Sequence, residues 1–307
     1  MEPIIPPLPT ELLLAELTPE RFMRKANNGQ NEIYIFSQAD SPNLMTETGR
    51  LREITFRDAG GGTGKSIDVD VYDMGADNFL QLIVWNPEDQ AIVGGYRFIH
   101  CKNLAIDEHG HVKTPTSKLF AYSKQFVDTY IPYTIELGRS FVQPDYQPSN
   151  NLRKGMYALD NLWDGLGTLI YYYQDVKYFF GKVTMYTHYN VYARDLILFF
   201  MQKYFPDPDR LVYPHVPVLL QTPADELDKV FTGSSYDENY KILIQSIRKK
   251  GENIPPLVNA YMNLSSTMRT FGTAFNAPFG NVEETGIIVT IDDIYSAKKD
   301  RHMGAIE

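Results

Sequence analysis

Residues 58–73 read DAGGGTGKSIDVDVYD: a glycine-rich loop, a lysine–serine pair, then three aspartates, Asp68, Asp70 and Asp73. A phosphate cradle of the form G-x-x-x-x-G-K-[ST] would wrap phosphate oxygens with backbone amides and reach the outer phosphates with its lysine. Here Ala59 stands where the first glycine is needed, ahead of Gly64, Lys65 and Ser66, so only a relaxed form is met. GIIVTIDD, ending in Asp292 and Asp293, imitates the apolar strand and acid that hold magnesium in such proteins. The mechanism also needs a buried strand before the loop and a helix N-terminus facing the phosphates after it. REITFRD before the loop is half charged, and IDVDVYDMGADNF after it alternates like a sheet-edge strand, with acids that repel phosphate. The loop therefore reads as a flexible connection with a solvated Lys65. Asp70 and Asp73 are spaced to face a shared arginine.

The second chemical stretch is ELGRSFV, where Glu136 precedes Arg139 by three positions. A strand carboxylate can take a proton from a protonated amine, directly or through water. The competing reading is structural: on a strand, i and i+3 point to opposite faces, and each charge needs its own ion-pair partner. Cys101 is the one cysteine, which excludes an internal disulfide and a thiolate metal cage; it is given no role, and no metal site is expected. His100 and His188 read as packed strand histidines.

The elements that must position these groups alternate between strand and helix patterns. Residues 11–27 read as a helix opened by Thr10, and EIYIFS (32–37) and LREITF (51–56) as strands. FLQLIVW and AIVGGYRFI flank the turn-forming NPEDQ as a buried hairpin, and PYTIELGRSFV (132–142) is the next strand. A helix from about Arg153 to Tyr173, the strand FFGKVTMYTHY and the helix YARDLILFFMQKYF follow. PDPDRLVYPHVP is an extended loop, YDENYKILIQSIRKK and PPLVNAYMNLSSTM are helices, and GIIVTI is the final strand. One α/β domain over residues 1–307 is expected, with a helical N-terminal extension (1–30), helical decoration at 206–270 and a tail at 293–307.

Composition narrows the function. A chain of 307 residues with 43% apolar content supports a sizeable core, and its 21 Tyr and 17 Phe leave room for a pocket for a greasy ligand. A net charge of -9 without a broad basic block argues against nucleic acid. MEPIIPPLPTELLLAEL has no basic n-region and is broken by prolines, unlike a secretory signal. The most apolar stretches carry Asp160 and Asp164, or Arg194 and Asp195, so no span is expected. The reading is a cytoplasmic protein, with peripheral attachment at the inner membrane left open.

Arg52, DVDVYD, IVGGYRF and ELGRSFV, in that order, are joined by FFGKVTMYTHYN and FNAPFG nearer the C-terminus. This set resembles the acyl-homoserine-lactone synthase branch of the GNAT acyltransferases. It is more closely similar to the hemolysin-like N-acyltransferases that make acylated amino-acid lipids such as ornithine or glycine lipids, over about residues 45–292. The resemblance implies a GNAT-like α/β fold: a mixed, mostly antiparallel central sheet splayed near strands 4 and 5, flanked by helices, with extra C-terminal helices. It implies transfer of a long acyl group from a phosphopantetheine thioester to the amine of a small amino acid. Glu136 would be the base, and N–H groups near Arg139 and Ser140 would hold the oxyanion. Phe141 and Val142 would pair with the pantetheine arm, while Arg97 would grip the donor's phosphate or an acceptor carboxylate. Arg52, Asp70 and Asp73 would shape the acceptor pocket.

One departure bears on the donor. CoA-binding GNAT domains carry R/Q-x-x-G-x-G/A after their fourth strand, where this chain has QPSNNLRKGMYAL and keeps only Gly155. That loss fits an acyl carrier protein as donor in place of acyl-CoA, with Arg153 and Lys154 meeting the acidic carrier; no tightly bound cofactor is expected. An inactive acyl- or partner-binding module is the competing reading, and a nucleotide hydrolase the third.

Overall fold

The computed structural model describes residues 1–74, 78–108, 111–155 and 157–303. Ten strands occur among them: β1 (Phe22–Lys25), β2 (Glu32–Phe36), β3 (Leu80–Asn86), β4 (Ala91–His100), β5 (Phe120–Tyr122), β6 (Thr134–Val142), β7 (Tyr178–Met185), β8 (Val212–Pro214), β9 (Arg269–Asn276) and β10 (Val282–Thr290). Eight form one sheet in the order β1-β2-β3-β4-β6-β7-β10-β9, and β5 pairs with β8 separately. Within the large sheet only β6 and β7 run parallel. The helices are α1 (Thr10–Glu16), α2 (Pro42–Asp58), α3 (Leu152–Gly155), α4 (Ala158–Tyr172), α5 (Val191–Tyr204), α6 (Ala224–Asp228), α7 (Tyr236–Arg248), α8 (Pro256–Met262) and α9 (Ser296–His302).

The sheet has apolar residues on both faces, as expected of strands covered on each side. On one face Val93, Tyr96, Phe98, Phe179 and Val183 pack with Leu166 of α4, Leu196 of α5, Leu243 of α7 and Val258 of α8. On the other, Ile83, Phe141 and Val282 pack under Leu44 and Leu51 of α2, while Phe180 and Ile288 join Phe120 and Phe126 in a separate aromatic cluster. The polar residues described below sit between those two clusters.

Several expected elements differ. The helix foreseen over 11–27 ends at Glu16, because the residue before Pro19 disfavours helix, and Phe22–Lys25 instead pairs with β2. LREITF is helical: it lies within α2, where Arg52, Glu53, Thr55 and Phe56 are all buried and Glu53 pairs with Arg57 at 2.7 Å one turn on. A helix buried on several sides has no clean 3.6-residue pattern, and a six-residue window mimics alternation. IDVDVYD forms turns rather than an edge strand, with the Asp73 N–H bonded to the Asp70 carbonyl at 3.0 Å. β9 went unforeseen, since Gly272 at φ 81° interrupts its pattern.

The C-terminal helix α9 is fastened to α4. The Asp164 carboxylate accepts from the Asn27 backbone (2.9 Å) and side chain (3.0 Å) and lies 2.8 Å from His302 Nδ1. Gly167 permits the approach, since a Cβ there would stand 2.0 Å from the His302 carbonyl oxygen. Among the described residues, no helix is long and apolar enough to cross a membrane.

Candidate active site

β6 and β7 pair only from Thr134–Glu136 to Tyr178–Phe180, and then part. From Leu137 to Ser140 the β6 residues are half-buried where Thr134–Glu136 were sealed. Gly181 sits at the opening, because a Cβ there would stand 2.7 Å from the Leu137 carbonyl oxygen. Across β6, Gly95 pairs with Phe141 and Arg97 with Gly138, so Tyr96 faces two residues, Arg139 and Ser140. That is a β-bulge, and Arg139 occupies it at φ 54°. A bulge interrupts the ladder and re-aims backbone groups, here beside the opening.

Glu136 is the last β6 residue before the opening and is 1% exposed. One carboxylate oxygen accepts the Thr116 N–H at 3.2 Å, and the other has no hydrogen-bond partner in the protein. Burial raises its pKa, against the opposing pull of Thr114, Thr116 and Lys182. A buried carboxylate with a raised pKa and an unengaged oxygen is suited to accept a proton.

The acids of the glycine-rich segment meet three arginines beneath α2. Arg97 Nη1 lies 2.8 Å from Asp70 and 3.0 Å from Asp73, and Arg52 lies 3.2 Å from Asp73. Gln81 donates to Asp73 at 3.0 Å and accepts from Arg52. Arg139 Nε lies 2.7 Å from Asp68, and its guanidinium sits 4.0 Å over the Phe279 ring. Burial alone would raise the Asp73 carboxyl, yet Arg52 and Arg97 hold it down at about 2. Asp70 is lowered too, with Arg97 overcoming burial.

These placements bear on each expected site residue. Asp70 and Asp73 do share one arginine, Arg97, which is 1% exposed and has both terminal nitrogens engaged by acids. It is therefore enclosed in an ion-pair cluster rather than left open to grip a phosphate. Arg52 lies in the same cluster. Phe141 is buried in the α2-side core, while the Val142 carbonyl accepts from Gln147 at 2.9 Å. Gly155 is buried because a Cβ would stand 2.5 Å from Pro148 N, a packing reason unrelated to phosphate. Lys154 pairs with Asp89 at 2.7 Å, and Arg153 is exposed. Among the described residues no cluster of His, Cys, Asp or Glu is arranged to hold a metal ion.

On the opposite face, Leu137, Ser140 and Tyr96 line a small apolar cavity with Leu159, Leu162, Trp163 and Leu166 of α4, closed by Leu257 and Tyr261 of α8. The Tyr96 hydroxyl has no hydrogen-bond partner there. The sequence reading gave no role to Tyr96, Asp68, Gln81, Thr116, Lys182 or Phe279. Tyr96, Asp68, Lys182 and Phe279 stand inside motifs it had singled out, whereas Gln81 and Thr116 lie in stretches that show no chemical pattern.

A sheet parted beside a bulged strand, with a buried glutamate at the parting, defines an acyltransferase of the GNAT fold; the profile of the acetyltransferase (GNAT) domain matches residues 51–155, from α2 through β6 to α3. The chain belongs to this family of N-acyltransferases alongside two glycine N(alpha)-acyltransferases. The one from Phocaeicola vulgatus is 51% identical over 303 residues, covering 99% of this chain and 93% of the relative. The one from Bacteroides thetaiotaomicron is 53% identical over 303 residues, covering 99% and 90%. A solved N-acyl amino acid synthase from uncultured soil microbes aligns over 87% of this chain and 93% of that one, at 8% identity and a TM-score of 0.40, too slight a likeness to bear on function. The chain is thus an acyltransferase.

Proposed function

We propose that the protein moves a long-chain acyl group from a phosphopantetheine thioester to the amine of a small amino acid, glycine foremost, giving an acylated amino-acid lipid. The observation that carries this reading is Glu136: buried, raised in pKa, with one oxygen unengaged at the mouth of the opening between β6 and β7. The pantetheine arm would lie along the unpaired edge of β6, as an added strand does, and the acyl chain would enter the apolar cavity against α4.

The acceptor ammonium passes a proton to Glu136, and its nitrogen attacks the thioester carbonyl carbon. Bulge N–H groups near Arg139 and Ser140 would hold the oxyanion. The C–S bond then breaks, the thiolate takes a second amine proton, and Glu136 returns its proton to solvent. An amide, a free thiol and one released proton balance the thioester and ammonium consumed. Glycine as acceptor is supported by the names of the two half-identical relatives. A carrier-protein donor is supported by the structural use of Gly155 and by the exposure of Arg153 beside it.

The test is incubation of the protein with long-chain acyl carrier protein or acyl-CoA and a panel of amino acids, reading products by mass. N-acylglycine formed by the wild type and lost in Glu136→Ala is the expected result. Unchanged product in the variant removes Glu136 as base, and equal use of acyl-CoA removes the carrier-protein preference.

A further inference from the structure

Lys182 lies on β7 two positions beyond Phe180, the last β7 residue that pairs with β6. β7 is regular through this stretch, so strand alternation puts Lys182 on the face that carries Phe180, the face of the Glu136 carboxylate. Glu136 and Lys182 therefore occupy the two strands that diverge at the opening, one at its apex and the other just past it. Their fields interact, since Lys182 is among the influences that oppose burial in setting the Glu136 carboxyl.

Lys182 is also costly to keep there. Its side chain is 11% exposed, and Nζ lies 2.9 Å from Glu284 of β10, itself nearly sealed. Burying such a pair is weak as a stabilising device, and apolar residues of similar size often serve a core as well. Glu284 has another partner, Asn276 Nδ2 at 3.1 Å. An ammonium carries three donors, and the structure engages one of them with Glu284. The arginines nearby are differently placed. Arg52 and Arg97 are sealed among acids and Gln81, and Arg139 is held between Asp68 and the Phe279 ring.

An amino-acid acceptor arrives as a zwitterion, and its ammonium and carboxylate need opposite partners. We propose that Lys182 binds the carboxylate of the acceptor while Glu136 receives its ammonium, so that the pair selects an α-amino acid over a simple amine. This inference rests on the amino-acid acceptor of the proposed function. Glu284 of β10, on the side of β7 away from β6, is then the resting partner that Lys182 keeps beside the opening.

The test compares glycine with glycinamide, which keeps the amine and lacks the carboxylate. Lys182→Met alone would strand Glu284, so the informative variant is Lys182→Met/Glu284→Gln, with Lys182→Arg as the charge-keeping control. The double variant is expected to raise the KM for glycine about tenfold to a hundredfold, as for loss of a hydrogen bond to a charged group. Its donor KM should be unchanged and its preference for glycine over glycinamide gone, while Lys182→Arg keeps that preference. A double variant that retains the wild-type glycine KM and preference overturns the role of Lys182 and leaves acyl transfer to glycine standing. A wild type that acylates no amino acid overturns the proposed function, and this inference with it.

Discussion

Glu136 is paired with Phe180 at the point where β6 and β7 separate, so the buried carboxylate stands at the last sealed position before the sheet opens. This relationship reconciles two needs of a base: enough desolvation to raise its pKa, and access to an incoming amine.

Glu136→Gln should lower kcat about a hundredfold to ten-thousandfold, the usual contribution of a positioned base. It should also stabilise the protein at neutral pH. The carboxyl is raised by burial, so the folded state loses stability as pH climbs from the ordinary glutamate value through the raised one. Gln carries no such penalty. Urea unfolding at pH 7 alongside turnover checks both signs; a variant that is inactive and less stable would point to a structural role.

The pH profile should carry the same signature. Glu136 must be ionised to accept a proton, so kcat/KM should fall as pH drops through a value above the ordinary glutamate range. That limb should vanish from the residual activity of Glu136→Gln.

Arg97→Met should destabilise the fold by about 3–5 kcal/mol, because it leaves the sealed Asp73, with half-buried Asp70 beside it, short of its charge partner. Chemical denaturation measures this directly. A loss near zero would mean that Arg52 and Gln81 alone satisfy Asp73.

Acid should weaken the same network in a defined window. The Asp73 carboxyl is held at about 2 against an ordinary 3.8, so its contribution is full above 3.8 and is lost as pH falls through about 2. The shift corresponds to about 2 kcal/mol. The stability gap between wild type and Asp73→Asn should narrow by that amount over this range.

Leu159→Trp should fill the cavity against α4 from its less buried side. The expected result is a drop of about tenfold or more in kcat/KM for long acyl donors, with short ones spared, since one or a few methylenes in an apolar pocket are worth that much. Competition between donors of different length reads it out; an even loss across lengths would place the acyl chain elsewhere.

The sequence made the sheet's centre legible because β3, β4, β6 and β7 are apolar runs bounded by turn residues. It made a shared arginine for Asp70 and Asp73 legible from their spacing but grouped them with Arg52, whereas the arginine that bonds both is Arg97, which the sequence reading had given to a phosphate or carboxylate. α2 was hidden by its own burial: Arg52 and Glu53 are sealed inside, so charge there does not mark a solvent face. Lys182 and Glu284 were invisible as a pair, being 102 positions apart on strands joined only in the sheet. The bulge opposite Tyr96 was legible as a need of the chemistry, and its register came only from the pairing of β4 with β6.

The clasp between Asp164 and His302 has a consequence for synthesis. Trp163 and Leu166, which wall the apolar cavity, lie on the helix that this clasp fastens, and the fastening residue is among the last described in the chain. A ribosome that has already made Glu136, the bulge and all of α4 must therefore translate well over a hundred further residues before the cavity's wall is locked. Until α8 follows with Leu257 and Tyr261, the apolar slot has no cover on the nascent chain, the kind of exposed surface for which chaperones compete.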